Sequence, residues 1–111
     1  FETLIRENLS ASLITDDQGR ITIANPELGR LFGLPAAESA QGRELGSFYA
    51  DPGEWRAHRA ALERGERVEL PGLHVRREDG QEATVIARLV PGRNPQGGVE
   101  VHAFFTDVSA L

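Results

Sequence analysis

The sequence predicts a domain of the α+β class, in which antiparallel strands pack against helices. Three observations predict this class. Residues 16–33 contain a tight turn, an alternating strand and a capped helix in direct succession. Residues 51–65 carry the start and stop signals of a longer helix. Residues 66–111 contain three strand patterns with turn signals between them.

The first two strands are predicted to form a hairpin around Asp17–Gly19, because the glycine can take a positive φ. In Arg20–Ala24, isoleucines alternate with threonine and alanine, which is the period of a half-buried strand. The preceding residues Ala11–Asp16 also have strand character. We therefore expect Ala11–Asp16 to pair with Arg20–Ala24.

A short helix is predicted directly after this hairpin. Asn25 can cap it, Pro26 suits its first position, and Gly33 suits the residue past its end. The apolar stripe of this helix, with spacings of three and four residues, consists of Leu28, Leu31 and Phe32.

The next segment allows only short helical turns, because Pro35, Gly42 and Gly46 interrupt it. These turns are expected around Ala36–Ser39 and Leu45–Tyr49. After them the sequence has the signals of a longer helix.

In this longer helix Asp51 is the predicted N-cap, Pro52 the first position and Glu54 the reciprocal capping residue. The helix is expected to run over Trp55–Arg64 and to stop at Gly65. A rotation of about 100° per residue divides the side chains between two faces. The face predicted to point inward carries Trp55, His58, Ala61 and Leu62, and the other face carries Arg56, Arg59 and Glu63.

Three antiparallel strands are predicted to end the domain, over Arg67–Arg77, Gln81–Val90 and Val99–Asp107. Pro71-Gly72 marks a bulge or an edge break in the first of them. Asp79-Gly80 is a strong signal for a two-residue hairpin turn. The glycine-rich residues Pro91–Gly98 are expected to form a flexible loop between the second and third strands.

Strand periodicity assigns these residues to two faces. One face carries Val85, Ala87, Leu89, Val101, Ala103 and Phe105. The other face carries Ile86 and Phe104, although an antiparallel sheet with one wet face would not usually place large apolar groups there. Residues 1–9 have a helical apolar stripe, formed by Phe1, Leu4, Ile5 and Leu9. We expect this helix, from the same chain or from a partner chain, to cover the outer face.

Composition narrows the function classes. The 111 residues suffice for one domain with a single core. A net charge of −5 argues against nucleic acid as a partner, and no apolar run is long enough to span a membrane. Methionine is absent, which predicts that the chain is a piece of a larger protein. We expect a cytoplasmic localisation, since no signal-peptide pattern is found.

Four motifs resemble those of the PAS domain, a sensor module of signalling proteins. The first is the run of residues 16–33, with Asn25-Pro26 and Leu31-Phe32-Gly33. The others are Tyr49–Pro52, which opens the longer helix, Arg76–Gly80, which resembles an Arg-x-x-Asp-Gly hairpin, and Asp107–Ser109, a variant of a terminal Asp-Ile-Thr signature.

Over residues 10–109 the resemblance implies the PAS fold, a five-stranded antiparallel sheet with short helices and one longer helix on one face. Residues 1–9 would be an additional N-terminal amphipathic helix, and residues 110–111 the start of an outgoing linker helix. The implied function is a sensing, dimerising module in a bacterial two-component histidine kinase or a diguanylate cyclase. Asp107 and Ser109 would couple the module to a C-terminal effector domain.

A pocket for a small molecule is expected between the sheet and the helices. The residues predicted to line it are Phe48, Trp55, His58, Leu62, Leu73, Val75, Val85, Val101 and Phe105. Mostly apolar walls with a few polar groups describe a typical ligand site, but they equally describe a filled core. The alternative is therefore an interaction module that binds no ligand.

Catalysis and several cofactors are disfavoured. No nucleophile motif or phosphate-binding loop is present, so we do not expect an enzyme. The absence of cysteine excludes a cysteinyl-flavin adduct. The three histidines, His58, His74 and His102, show no metal-ligand spacing. Some PAS domains bind haem through a histidine on the longest helix, but the matching position lies closer to Glu54 than to His58, so haem is disfavoured.

Overall fold

The structure, a computed structural model, describes residues 10–108. Five antiparallel strands form one sheet in the order β2-β1-β5-β4-β3. The strands are β1 Ala11–Thr15, β2 Ile21–Ala24, β3 Val68–Arg76, β4 Glu82–Arg93 and β5 Val99–Asp107. The helices are α1 Pro26–Phe32 and α2 Pro52–Glu63, with short 3₁₀ helices at Ala37–Ala40 and Leu45–Phe48. The predicted class, element order and single sheet are confirmed.

Helix α1 is capped as the sequence predicts. The Asn25 side-chain oxygen accepts from the Leu28 amide at 3.0 Å and also from the Ser12 amide of β1 at 3.0 Å. Its amide nitrogen donates to the Ser10 carbonyl at 2.7 Å. At the other end, Gly33 has a φ of 72°, the left-handed conformation that favours glycine. Asn25 therefore fixes both the start of α1 and its attachment to β1.

Helix α2 begins at Pro52 and has Asp51 as its N-cap, as the sequence predicts. The Asp51 carboxylate accepts from the Gly53 amide at 2.9 Å. Gly65, with a φ of 83°, ends the helix as predicted. Among the described residues of α2, Leu62 is the one that is fully buried.

The three hairpins of the sheet share one turn geometry. In the first, the Asp16 amide donates to the Arg20 carbonyl, and Gly19 has a φ of 78°. In the second, the Arg77 amide donates to the Gln81 carbonyl, and Gly80 has a positive φ. In the third, the Asn94 amide donates to the Gly98 carbonyl, and Gly97 has a positive φ. Each is a three-residue turn with a left-handed glycine. The predicted two-residue turn at Asp79-Gly80 is therefore one residue too short.

Strand β4 is longer than predicted. Pro91, Gly92 and Arg93 continue the pairing with β5, so the loop after β4 is shorter than the expected Pro91–Gly98. The pairing of β3 with β4 ends at Val68 and Leu89, which leaves β4 as an edge beyond this point. An edge tolerates a proline because no neighbour needs its missing amide hydrogen.

The predicted break at Pro71-Gly72 is confirmed by a register shift between Leu70 and Leu73 in β3. A second shift lies between Ile14 and Thr15 of β1. There the Thr15 hydroxyl accepts from the Val101 amide at 3.1 Å and donates to the Asp16 carbonyl at 2.9 Å. A buried hydroxyl thus replaces a bond that the irregular ladder cannot supply.

The predicted division of the last two strands between two faces is confirmed. The residues assigned to the inner face are all buried. On the outer face Ile86 is 47% exposed and Phe104 is partly buried. Strand β1 is buried on both faces, including the outward-facing Ser12 and Ile14. The predicted helix with Phe1, Leu4, Ile5 and Leu9, together with Ser109 and residues 110–111, lies outside the described residues.

Between residues 10 and 108, no helix is long and apolar enough to cross a membrane.

Candidate functional site

Seven of the nine side chains predicted to line a pocket pack into the core. Phe32 of α1 stacks on Phe48 with ring centroids 4.2 Å apart and meets Phe105 edge-on at 5.9 Å. These aromatic contacts occupy the centre of the domain. The seven buried residues are Phe48, Leu62, Leu73, Val75, Val85, Val101 and Phe105. The other two, Trp55 and His58, are partly buried on α2.

A cleft of about 280 Å³ opens between α2 and the two turns at one end of the sheet. These are the β1–β2 turn and the β4–β5 turn. Its lining consists of Asp16, Asp17, Gly19, Trp55, Arg59, Leu62, Glu63, Gly97, Gly98, Val99 and Val101. Trp55, Leu62 and Val101 are the members of this set that the sequence predicts. The sequence does not identify the turn residues as part of a site, because turn formation alone already explains their presence.

Trp55 forms the aromatic wall of the cleft. A Cβ atom on Gly46 would lie 2.2 Å from Cδ1 of the indole, so only glycine leaves room for the ring in this position. On the other side, a Cβ on Gly19 would lie 3.5 Å from Cζ2 of the ring. The Tyr49 ring lies 5.4 Å away between centroids. In the sequence Gly46 looks like a helix breaker, but in the structure it makes space for Trp55.

Arg59 connects α2 to the β1–β2 turn. Its Nη2 donates to the Asp17 carbonyl at 3.3 Å, and its Nε lies 3.5 Å from the Glu63 carboxylate. Arg59 and Glu63, which the sequence places on the face of α2 opposite the inward one, both line the cleft. The sheet ends beside α2, so its turns reach a side of the helix that helical periodicity assigns to solvent.

Two acidic residues of the β1–β2 turn line the cleft, and their carboxylates make different contacts. The Asp16 carboxylate accepts from the Gln18 amide at 2.8 Å and from the Arg20 amide at 3.0 Å, so it holds the turn together. The Asp17 carboxylate lies against the β4–β5 turn, because a Cβ on Gly98 would come within 2.7 Å of its Oδ2. Close approach of the two turns therefore requires glycine at position 98.

His58 lies beside the cleft, outside its lining. Its Nδ1 shares a hydrogen bond of 2.9 Å with the hydroxyl of Tyr49, which gives a buried phenol its partner. Burial lowers the pKa of His58, and the nearby Glu54 carboxylate opposes this shift only in part. Burial, followed by the charge of Glu54, raises the pKa of Tyr49. The neutral forms of both side chains are therefore favoured.

The predicted coupling residue Asp107 ends β5, where it is exposed. It lines a second groove, of about 430 Å³, together with Arg30, Arg77 and Phe105. Arg77 packs over Gly33 at the end of α1, and its Nε is buried without a hydrogen-bond partner in the described chain. No group of three side chains suited to a metal ion occurs among residues 10–108.

Solved structures share this architecture. An RNA-binding light-oxygen-voltage receptor is 27% identical with a TM-score of 0.79, and the match covers 96% of this chain but only 32% of that receptor. A PAS domain from Colwellia psychrerythraea is 19% identical with a TM-score of 0.81, over 98% of this chain and 94% of that one.

A third structure is a domain of a sensory box sensor histidine kinase/response regulator from Geobacter sulfurreducens. It is 20% identical with a TM-score of 0.77, and the match covers 95% of this chain and 89% of that domain. No curated protein is significantly similar to the chain. A family model, PAS_4, described as the PAS fold, matches residues 7–111. With the sheet order and the helix positions described above, this match shows that the chain belongs to the PAS fold family.

Proposed function

We propose that this chain is the sensing and dimerising module of a larger cytoplasmic signalling protein of bacteria. The parent would be a histidine kinase or a diguanylate cyclase, with an effector domain after the module. Membership of the PAS family supports a sensory, non-catalytic role. The likeness to the Geobacter sulfurreducens domain supports a sensor kinase as parent, although at 20% identity it shows the fold alone.

The observation that carries the proposal is the cleft beside α2. This helix contacts the core through the buried Leu62 and the partly buried Trp55, and it contacts the β1–β2 turn through Arg59. A molecule entering the cleft would contact both α2 and the turns. A ligand that binds one position of α2 more tightly than another would shift the population toward that position.

Strand β5 provides a route from the cleft to an effector. Val101 lines the cleft at one end of β5, and Asp107 stands at the other end. The strand lies in the centre of the sheet between β1 and β4. A displacement at Val101 would therefore reach the outgoing segment through a single hydrogen-bonded element. Ser109, the second predicted coupling residue, lies two positions after Asp107 in the sequence.

The dimer contact is proposed on the outer face of the sheet. Ile86 is an exposed large apolar residue there, and Phe104 lies on the same face. The apolar stripe of residues 1–9 would cover this surface in its own chain or in a partner. Burial of apolar surface is the usual driving force for the pairing of two protein chains.

Native mass spectrometry of the full-length protein, purified from its own host, tests the sensing role. We expect a dimer carrying the additional mass of a small molecule. A dimer of bare mass would contradict ligand sensing and would support pairing alone. That second function is favoured by the burial of seven predicted lining residues in a filled core.

An Asp107→Ala variant of the full-length protein tests the coupling route. We expect effector output to lose its dependence on the stimulus while the unfolding transition stays unchanged. Thr106→Ala is the matched control, since Thr106 is also exposed at the end of β5. Equal stimulus dependence in the two variants would contradict a coupling role for Asp107.

A further inference from the structure

We infer that the cleft beside α2 binds a small organic cation, a substituted ammonium compound. This inference rests on the proposed function, because it assumes that the cleft is the ligand site. It names the chemical class of the ligand. The charge of the lining, the aromatic wall and the size of the cleft each support it.

The charge of the lining is negative. Three carboxylates, those of Asp16, Asp17 and Glu63, face a single guanidinium, that of Arg59. This guanidinium is already neutralised, because it lies 3.5 Å from Glu63 and donates to the Asp17 carbonyl. An anionic ligand would therefore find no available positive charge and would be repelled by the remaining carboxylates.

Asp17 is the carboxylate available to a ligand. Asp16 already accepts from two backbone amides, and Glu63 already faces Arg59. The Asp17 carboxylate accepts no hydrogen bond within the described chain, and it lies close to Gly98 of the β4–β5 turn. Its carboxylate could thus pair with a cation without breaking an existing contact.

The walls suit the remainder of such a molecule. The indole of Trp55 lines the cleft, and an ammonium group is attracted to an aromatic ring by the cation–π interaction. Leu62, Val99 and Val101 supply an apolar surface for alkyl groups. A volume of about 280 Å³ is at the lower end of ligand pockets, so the ligand is small.

A metal ion is the other cation that carboxylates could attract. The described residues contain no group of three side chains placed to hold one. The aromatic and aliphatic walls would also contribute nothing to a hydrated ion. The lining therefore favours a cation that has apolar substituents.

Three isosteric probes test the charge preference directly: choline, the neutral 3,3-dimethylbutan-1-ol and the anionic 3,3-dimethylbutanoate. Trp55 is the only tryptophan of the chain, so its fluorescence reports binding, and calorimetry detects binding that leaves the fluorescence unchanged. We expect choline to bind at least about tenfold more tightly than the alcohol, since the charge adds about 1.4 kcal/mol or more. The butanoate should bind most weakly.

A variant isolates the role of Asp17. Asp17→Asn should weaken choline binding by about two- to fivefold, as expected for one exposed ion pair, and leave binding of the alcohol unaffected. Asp79→Asn is the matched control, because it removes the same charge from the β3–β4 turn, outside the cleft lining. An equal loss of affinity in both variants would overturn the local role of Asp17.

The remaining outcomes separate the two levels of the proposal. Equal or tighter binding of the alcohol or the butanoate would overturn the cation assignment and leave the cleft as a ligand site. Failure of all three probes by both methods would also overturn the cation assignment. The sensing function itself is tested separately, by native mass spectrometry of the protein purified from its own host.

Discussion

The two helices of this domain differ in how they are attached. Helix α1 has seven residues, of which Leu28, Gly29, Leu31 and Phe32 are buried. Helix α2 has twelve residues, of which Leu62 alone is buried among those described. The shorter helix is therefore a fixed part of the core, whereas the longer one lies on its surface.

Their caps show the same difference. Asn25 is completely buried and bonds to β1 as well as to its own helix. Asp51 is exposed, and its carboxylate bonds within the helix it starts. Both residues satisfy amides at a helix start, but only the first also joins two elements.

The largest effect is expected from truncation inside the core. Phe32→Ala should lower the free energy of unfolding by about 3–5 kcal/mol, because it removes a buried ring that contacts two others. Leu62→Ala should cost less, about 2–3 kcal/mol, because a surface helix can settle into the space left behind. Urea denaturation measures both values. A larger loss for Leu62→Ala would contradict the conclusion that α1 is a fixed part of the core and α2 a surface helix.

The caps should differ by a smaller amount. Asn25→Ala leaves the amides of Ser12 and Leu28 and the carbonyl of Ser10 without this partner, so we expect a loss of about 2–3 kcal/mol. Asp51→Ala should cost only about 0.5–1 kcal/mol, since water can replace an exposed cap. Equal losses in chemical denaturation would mean that burial of the cap does not matter here.

Substitution at Gly46 should act on α2 through Trp55. Gly46→Ala places a methyl group 2.2 Å from the indole, so the ring must leave its position, at a cost of about 1–2 kcal/mol. We expect a shift of the tryptophan emission to longer wavelength as the ring becomes more exposed. Gly72→Ala is the control, because its nearest neighbour would be a methyl group of Thr84 at 3.8 Å. Unchanged emission in Gly46→Ala would contradict the described packing of Trp55.

The smallest effect concerns pH. Burial lowers the pKa of His58 below its ordinary value of 6.5, so the unfolded chain binds more protons than the folded one. The stability that comes from the neutral imidazole is present above that value and is lost as the pH falls through the lower folded pKa. Between about pH 7.5 and pH 5.5 the free energy of unfolding should therefore fall, and we expect a smaller fall in His58→Gln than in the wild type. Urea denaturation at several pH values measures this slope. An unchanged slope in His58→Gln would contradict this role of His58.

Local signals were sufficient to predict α1, the division of β4 and β5 between two faces, and the break in β3. A cap such as Asn25-Pro26 acts through its immediate neighbours, and alternation in a strand needs only one buried face. The cleft could not be predicted in this way. Arg59 and Gly98 belong to elements that are distant in sequence, and their proximity follows from where the sheet ends relative to α2.

The sheet order has a mechanical consequence. Strands β1 and β5 are neighbours, and Ala11 at the start of β1 pairs with Phe105 near the end of β5. The two ends of the domain therefore leave the sheet side by side and point the same way. Tension between them would load the ladder at this first rung and open it one pair of hydrogen bonds at a time. A force applied to the two ends would therefore act first on the pairing of Ala11 with Phe105.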